Sequence, residues 1–210
     1  MLYRILIKVA ALAVCLSSVV AQASEARVEG ATVNRVIGFG LTYGGEKLAE
    51  AQVEYDGHTI DEDLRGGDLI TVAAGFVTYL PQREWSFQTT IGYHLDEVSA
   101  DNGDIRFERY PLEFIPFYNS GNYRVGAGLS YHLSPKLNLR DIGGPKVAFD
   151  NALGWLVEYD YSFVGWRKAG LLVGVRYLWI DYKIDKINGT PASGENIDGS
   201  HFGVHADFMF

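Results

Sequence analysis

The chain closes on Gly199-Ser200-His201-Phe202-Gly203-Val204-His205-Ala206-Asp207-Phe208-Met209-Phe210. Phe202, Val204, Ala206, Phe208 and Phe210 alternate with His201, Gly203, His205, Asp207 and Met209. A period of two marks a β-strand with one apolar face and one polar or small face. The last residue is aromatic and no polar tail follows it, which is unusual for a water-soluble strand.

Working outward from this strand, the same alternation recurs in seven more segments. The eight are 33–44, 68–80, 84–96, 105–118, 122–134, 152–164, 169–183 and 200–210. Each reaches the roughly 9–11 residues that a tilted strand needs to cross a bilayer. Three connections are short (81–83, 119–121 and 165–168), and four are long (45–67, 97–104, 135–151 and 184–199). Short turns at one end and long loops at the other suit a transmembrane barrel, with the loops extracellular and both termini periplasmic. Outward rows such as Trp85, Phe87, Thr89, Ile91, Tyr93 and Leu95, or Leu153, Trp155, Val157, Tyr159, Tyr161 and Phe163, carry aromatics at both ends. That is the girdle pattern of an interface-spanning wall. Pro111 and Pro116 cannot donate ladder hydrogen bonds, so a bulge or local bend is expected in the fourth strand.

Residues 1–23 read as a secretory signal: Arg4 and Lys8, an apolar run from Val9 to Val20, then Ala21-Gln22-Ala23 before Ser24. Cys15 follows Val14 and is followed by more apolar residues, a poor context for lipid attachment. Cleavage leaves residues 24–210 as one domain and removes the only cysteine, so no disulfide framework is expected. Sixteen basic against 26 acidic residues remain, a formal −10, which argues against a nucleic-acid partner. No later stretch approaches the ~18 apolar residues of a membrane-spanning helix. Insertion in lipid would therefore require a closed barrel, in which every strand edge is paired. A soluble, lipocalin-type barrel with the apolar rows turned inward is the competing fold.

The expectation is an all-β, eight-stranded, antiparallel up-and-down transmembrane barrel. The whole mature chain resembles the small eight-stranded outer-membrane proteins of the OmpA transmembrane-domain, OmpX and OmpW kind. The run His201-x-Gly203-x-x-Ala206-x-Phe208-x-Phe210 is similar to their assembly signal. That resemblance implies recognition of Gly203, Ala206, Phe208 and Phe210 by the barrel-assembly machinery, and outer-membrane lipid and lipopolysaccharide as surroundings. The class includes structural proteins, adhesins, narrow channels and lipid-modifying enzymes, so the fold alone assigns no role.

Candidate functional residues lie on the inward rows. Arg109, Glu113, Arg124, Glu158, Asp160, Arg176 and Asp207 form a candidate charge network, with Gln88, His94, Ser130, His132 and His205 as polar neighbours. An eight-stranded lumen is only wide enough for side chains to fill, so these charges need partners. A turn at 166–168 would set Glu158 opposite Arg176. A turn at Ser120-Gly121 would set Arg109 opposite His132 and Glu113 opposite Gly128. The network reads as a salt-bridged plug in a structural or surface-interaction protein. Its alternative is a narrow channel for ions or small solutes, gated by Glu158 and Arg176.

His132-Leu133-Ser134 raises a second alternative, since outer-membrane lipid A deacylases carry a His-x-Ser pair and a glutamate. Here Pro135 follows the serine and the pair falls on the lumen face, so no catalytic residue is assigned. No metal site is assigned either: His201 and His205 stand about 13 Å apart on one strand, and His94, His132 and His201 would have to converge from three strands. No cofactor is implied. The first long loop is acidic (Glu46, Glu50, Glu54, Asp56, Asp61, Glu62, Asp63, Asp68) and reads as a solvated face. Its alternatives are divalent ions bridging to lipopolysaccharide, or a basic partner. A surface ligand is not legible.

Overall fold

The period of two becomes strands because each segment can satisfy its backbone only against neighbours, with alternate side chains committed to opposite faces. The computed structural model describes residues 30–55, 58–82, 84–100, 103–139, 143–163, 170–194 and 196–210. The signal-peptide segment 1–23 and the turn 165–168 lie outside them. In chain order the strands are β1 (Thr32–Gly44), β2 (Lys47–Tyr55), β3 (His58–Arg65), β4 (Leu69–Tyr79), β5 (Trp85–Ala100), β6 (Gly103–Ser120) and β7 (Tyr123–Asn138). They continue as β8 (Lys146–Phe149), β9 (Ala152–Ser162), β10 (Gly170–Trp179), β11 (Asp181–Ile187), β12 (Thr190–Pro191), β13 (Asn196–Asp198) and β14 (His201–Met209).

Eight of these form a closed antiparallel barrel in the order β1, β4, β5, β6, β7, β9, β10, β14, with β14 returning to β1. The closing register pairs Val36 with Met209, Gly38 with Asp207 and Leu41 with Val204. Phe39, Leu41, Trp85, Phe114, Val125, Trp155, Val173, Val204 and Phe208 stand exposed on the outer wall, while the charged row is buried inside. An apolar exterior around a charged interior is the inverse of a soluble ligand-binding barrel. The chain is a closed, eight-stranded transmembrane β-barrel.

Three expectations change. The connection at 119–121 turns on Gly121 and Asn122, with Gly121 at φ 58° and Ser120 paired to Tyr123. Glu113 therefore faces Ser130, and His132 faces Pro111, a slip of two residues that keeps every side chain on its face. The irregularity near the prolines comes from β7: Ser134 and Pro135 together oppose Arg109, and Ser134 has φ 50°. Pro116 stays in the ladder opposite Phe87. The long connections are also largely folded. β5 and β6 continue through 97–104, and β2 pairs with β3 within 45–67. Beyond its bulge β7 leaves β9 for β8, which pairs with β11, and β13 adds to β11.

Two apolar clusters bracket the lumen. Val36, Val77, Tyr79, Leu172 and Met209 close the short-turn end, where Tyr79 Oη donates to Met209 Sδ at 3.2 Å. At the long-loop end Leu64, Ile105, Phe107, Leu137, Val147, Phe149, Ile180 and Tyr182 belong to one buried cluster beneath the added strands.

Candidate functional site: the charged interior of the barrel

Glycines prepare the space. Gly38 pairs with Asp207, Gly126 with Phe117 and Glu158, and Gly174 with Asp160 and His205. A Cβ at each would run into the side chain of Asp207, of Phe117, or of Asp160 and His205. The missing side chains let large inward residues lie flat across the narrow lumen.

Arg176 donates through Nη2 to Glu113 Oε2 (2.9 Å) and Glu158 Oε2 (2.6 Å), and through Nη1 to Glu113 Oε1 (3.3 Å). It lies directly opposite Glu158 in the ladder. Arg124 donates through Nε to Asp160 Oδ2 at 2.5 Å and reaches toward Glu158 (3.7 Å) and Asp207 (3.8 Å). Its guanidinium carbon sits 3.8 Å from the Phe117 ring centroid. His205 Nε2 donates to Asp160 Oδ1 at 2.9 Å. Six of the seven predicted network residues thus meet in one layer, together with His205.

Arg109 does not join them. It lies higher, over the Phe107 ring at 4.6 Å, and its Nη2 donates to His94 Nε2 at 2.9 Å. Its Nε and Nη1 have no hydrogen-bond partner. Arg109 and Glu113 lie four residues apart on β6, which at ~3.3 Å per residue sets Arg109 about 13 Å nearer the long-loop end than the carboxylate layer. The His94 and His201 rings pack edge to face at 5.1 Å.

A hydrogen-bonded chain joins the upper cluster to the ionic layer. Tyr182 Oη donates to His132 Nδ1 (2.6 Å), His132 Nε2 donates to Ser130 Oγ (3.1 Å), and Ser130 Oγ donates to Glu113 Oε1 (3.1 Å). These partners fix the imidazole as the Nε2–H tautomer. Tyr182 lies beyond the spanning strands, and burial pushes its phenol up to about 12. Ser134 is exposed in the bulge, and its amide donates to Asn151 Oδ1 at 2.9 Å. His132 therefore has both nitrogens engaged away from Ser134, and the His-x-Ser pair does not form.

Gln88 is buried with Oε1 unpartnered, against a cavity of about 20 Å³ that it shares with Thr90, Glu113, Glu158, Arg176 and His205. In the first long loop Asp63 is bound by Lys47 (2.6 Å) and Arg65 (3.2 Å), and the Lys47 hydrogen bond holds its carboxyl below the usual range. Asp68 accepts from the Gly44 amide at 2.6 Å, and Glu46 from the Asp198 amide at 3.3 Å. These three are tied into the fold; the side chains of Glu50, Glu54, Asp56, Asp61 and Glu62 lie outside the described residues. Sequence reasoning missed Tyr182 and the Phe117 ring. Tyr182 carried a signal, since its parity in the segment 169–183 is inward.

No protein-family model and no curated protein matches the chain. Among solved structures, it is similar to Ail, the attachment invasion locus protein of Yersinia pestis, solved in complex with the heparin analogue sucrose octasulfate. The identity is 12%, with 87% of this chain and 100% of that one covered and a TM-score of 0.47. Neisserial surface protein A gives 12% identity, 87% and 100% coverage and a TM-score of 0.47. The outer-membrane protein AlkL, solved in DMPC lipid bilayers, gives 13%, 88% and 93%, and 0.49. The barrel is read from this chain's own closed ladder, and these likenesses lend it no role.

Proposed function

We propose that this outer-membrane barrel is a non-conducting scaffold that presents a folded β-cap at the cell surface. One observation carries the reading: among the described residues the ionic layer lies between two buried apolar clusters, and the cavity beside it, about 20 Å³, has room for a single water. Solute passage would require the Arg176 bridge between Glu113 and Glu158 to open and both apolar clusters to part. The cap supports a surface-interaction role, because specificity in such barrels is carried by the loop end while the wall only anchors it. In this reading the long-loop end faces outward, both termini are periplasmic, and outer-membrane lipid and lipopolysaccharide surround the wall. Gly203, Ala206, Phe208 and Phe210 serve the barrel-assembly machinery, and the exposed Phe208 and Phe210 rings are consistent with that use.

Planar-bilayer conductance of the folded mature chain tests the proposal, beside Glu158→Ala and Arg176→Ala. Silence in the wild type is the expected result. Steady wild-type current altered by either substitution would replace the scaffold with a gated channel. Protease accessibility of a tag placed at Gly143 in intact cells tests the orientation.

A further inference from the structure

Glu158 and Asp160 project inward from β9, and His205 from β14, with Gly174 of β10 between Asp160 and His205 in the ladder. Each carboxylate gives one oxygen to an arginine, Asp160 Oδ2 to Arg124 and Glu158 Oε2 to Arg176. The other oxygens turn to His205, whose Nε2 lies 2.9 Å from Asp160 Oδ1 and 3.5 Å from Glu158 Oε1. All three ligand atoms are within 4.8 Å of one another. Two donors on one tetrahedral ion with bonds of ~2.0–2.1 Å stand about 3.3 Å apart, a spacing that these distances straddle.

Two further observations point to a ligand. Glu158 is only 3% exposed, yet its Oε1 accepts no hydrogen bond, with His205 Nε2 at 3.5 Å and the Arg124 guanidinium at 3.7 Å as its nearest charged or polar neighbours. The layer also leans to the acidic side: the four carboxyl groups of Glu113, Glu158, Asp160 and Asp207 face two guanidinium groups, Arg124 and Arg176, and one imidazole, His205. A buried excess of carboxyl groups calls for compensation.

We propose that Glu158 Oε1, Asp160 Oδ1 and His205 Nε2 form a buried site for one divalent transition-metal ion of the zinc type. One imidazole and two carboxylates are a donor set that suits such an ion, and two positive charges neutralise the layer. The adjoining cavity holds a water as fourth ligand, which the unpartnered Gln88 Oε1 accepts from. Binding releases the proton from Nε2. Because apolar clusters close both ends, the ion enters during folding and leaves slowly. The site goes beyond the scaffold reading and stands apart from it, since metal content and conductance are measured separately.

The test is metal analysis of the mature chain folded into lipid with excess Zn²⁺ and then passed over a chelating column. One ion per barrel is expected, with at least tenfold less in His205→Ala and Glu158→Gln, both checked for folding by heat-modifiable mobility. If the variants do not fold, ¹⁵N-histidine NMR of the wild type decides: Zn²⁺ should shift one of the five imidazoles and remove its pH response. A folded wild type that retains no zinc overturns the site and leaves a cluster balanced by protons. Zinc retained equally by the variants, or with no imidazole shifted, also overturns it and places the ion elsewhere.

Discussion

Replacing Arg176 with methionine removes the group that three hydrogen bonds of 2.6 to 3.3 Å tie to Glu113 and Glu158. Methionine keeps most of the length and none of the charge. Both carboxylates are nearly inaccessible to water, so neither recovers its solvation when the guanidinium is lost. Breaking a buried pair by removing one partner costs about 3–5 kcal/mol, against about 0–1 for a surface pair. Arg176→Met should therefore lower unfolding free energy by about 3–5 kcal/mol. Adding Glu113→Gln and Glu158→Gln should recover more than half of that, because the amides demand no counter-charge. Reversible urea unfolding in lipid vesicles, followed by tryptophan fluorescence and by heat-modifiable mobility in the presence of chelator, reads both numbers. A single variant within about 1 kcal/mol of wild type would mean that the carboxylates are hydrated. The closed lumen, and the scaffold reading with it, would then fall. A triple variant no better than the single would show that packing, rather than charge, is what Arg176 supplies.

Gly75→Ala places a Cβ against the Thr89 carbonyl and within 2.8 Å of Thr90 Cα, both backbone. It should cost about 1–3 kcal/mol in the same assay. Phe107→Ala removes a fully buried ring packed on Phe149 and Tyr182. A loss of about 3–5 kcal/mol in the cap should appear as faster protease cleavage of 139–146 in the folded protein, while heat-modifiable mobility persists. Alkaline titration followed at 295 nm should show the Tyr182 phenol lagging to about pH 12 in the folded barrel, and Tyr182→Phe should abolish that lag. In the unfolded chain this phenol ionises near 10, so its contribution to stability is complete below pH 10. It is lost at about 1.4 kcal/mol per pH unit as the pH rises through 12, since the unfolded state then holds fewer protons.

Alternation was enough to give strand count, closure and the side on which each side chain falls, because the strand period is two and only one face can meet lipid. Glu158 opposite Arg176 follows from the same arithmetic, given a three-residue turn. Glu113 opposite Gly128 did not survive, because Ser120-Gly121 and Gly121-Asn122 are both credible two-residue turns. The choice between them, fixed here by Gly121 at φ 58°, moves the register by two without moving a side chain off its face. Arg109 was assigned to a charge network on parity alone. Parity gives the face but not the height, and Arg109 stands four residues from Glu113 along β6, a strand length that sets it apart from the carboxylate layer.

The chain by itself therefore determined what depends on neighbours along the strand: the barrel, its apolar exterior, its charged interior and the identity of the inward residues. Only the tertiary structure decided what depends on residues far apart in sequence. It gathered Arg124, Asp160 and His205 over Gly174, carried Tyr182 to His132 across 50 residues, and folded the long connections into a cap. Those contacts rest on shear, bulges and strand switching around a closed ladder. A repeat of two residues carries no record of them.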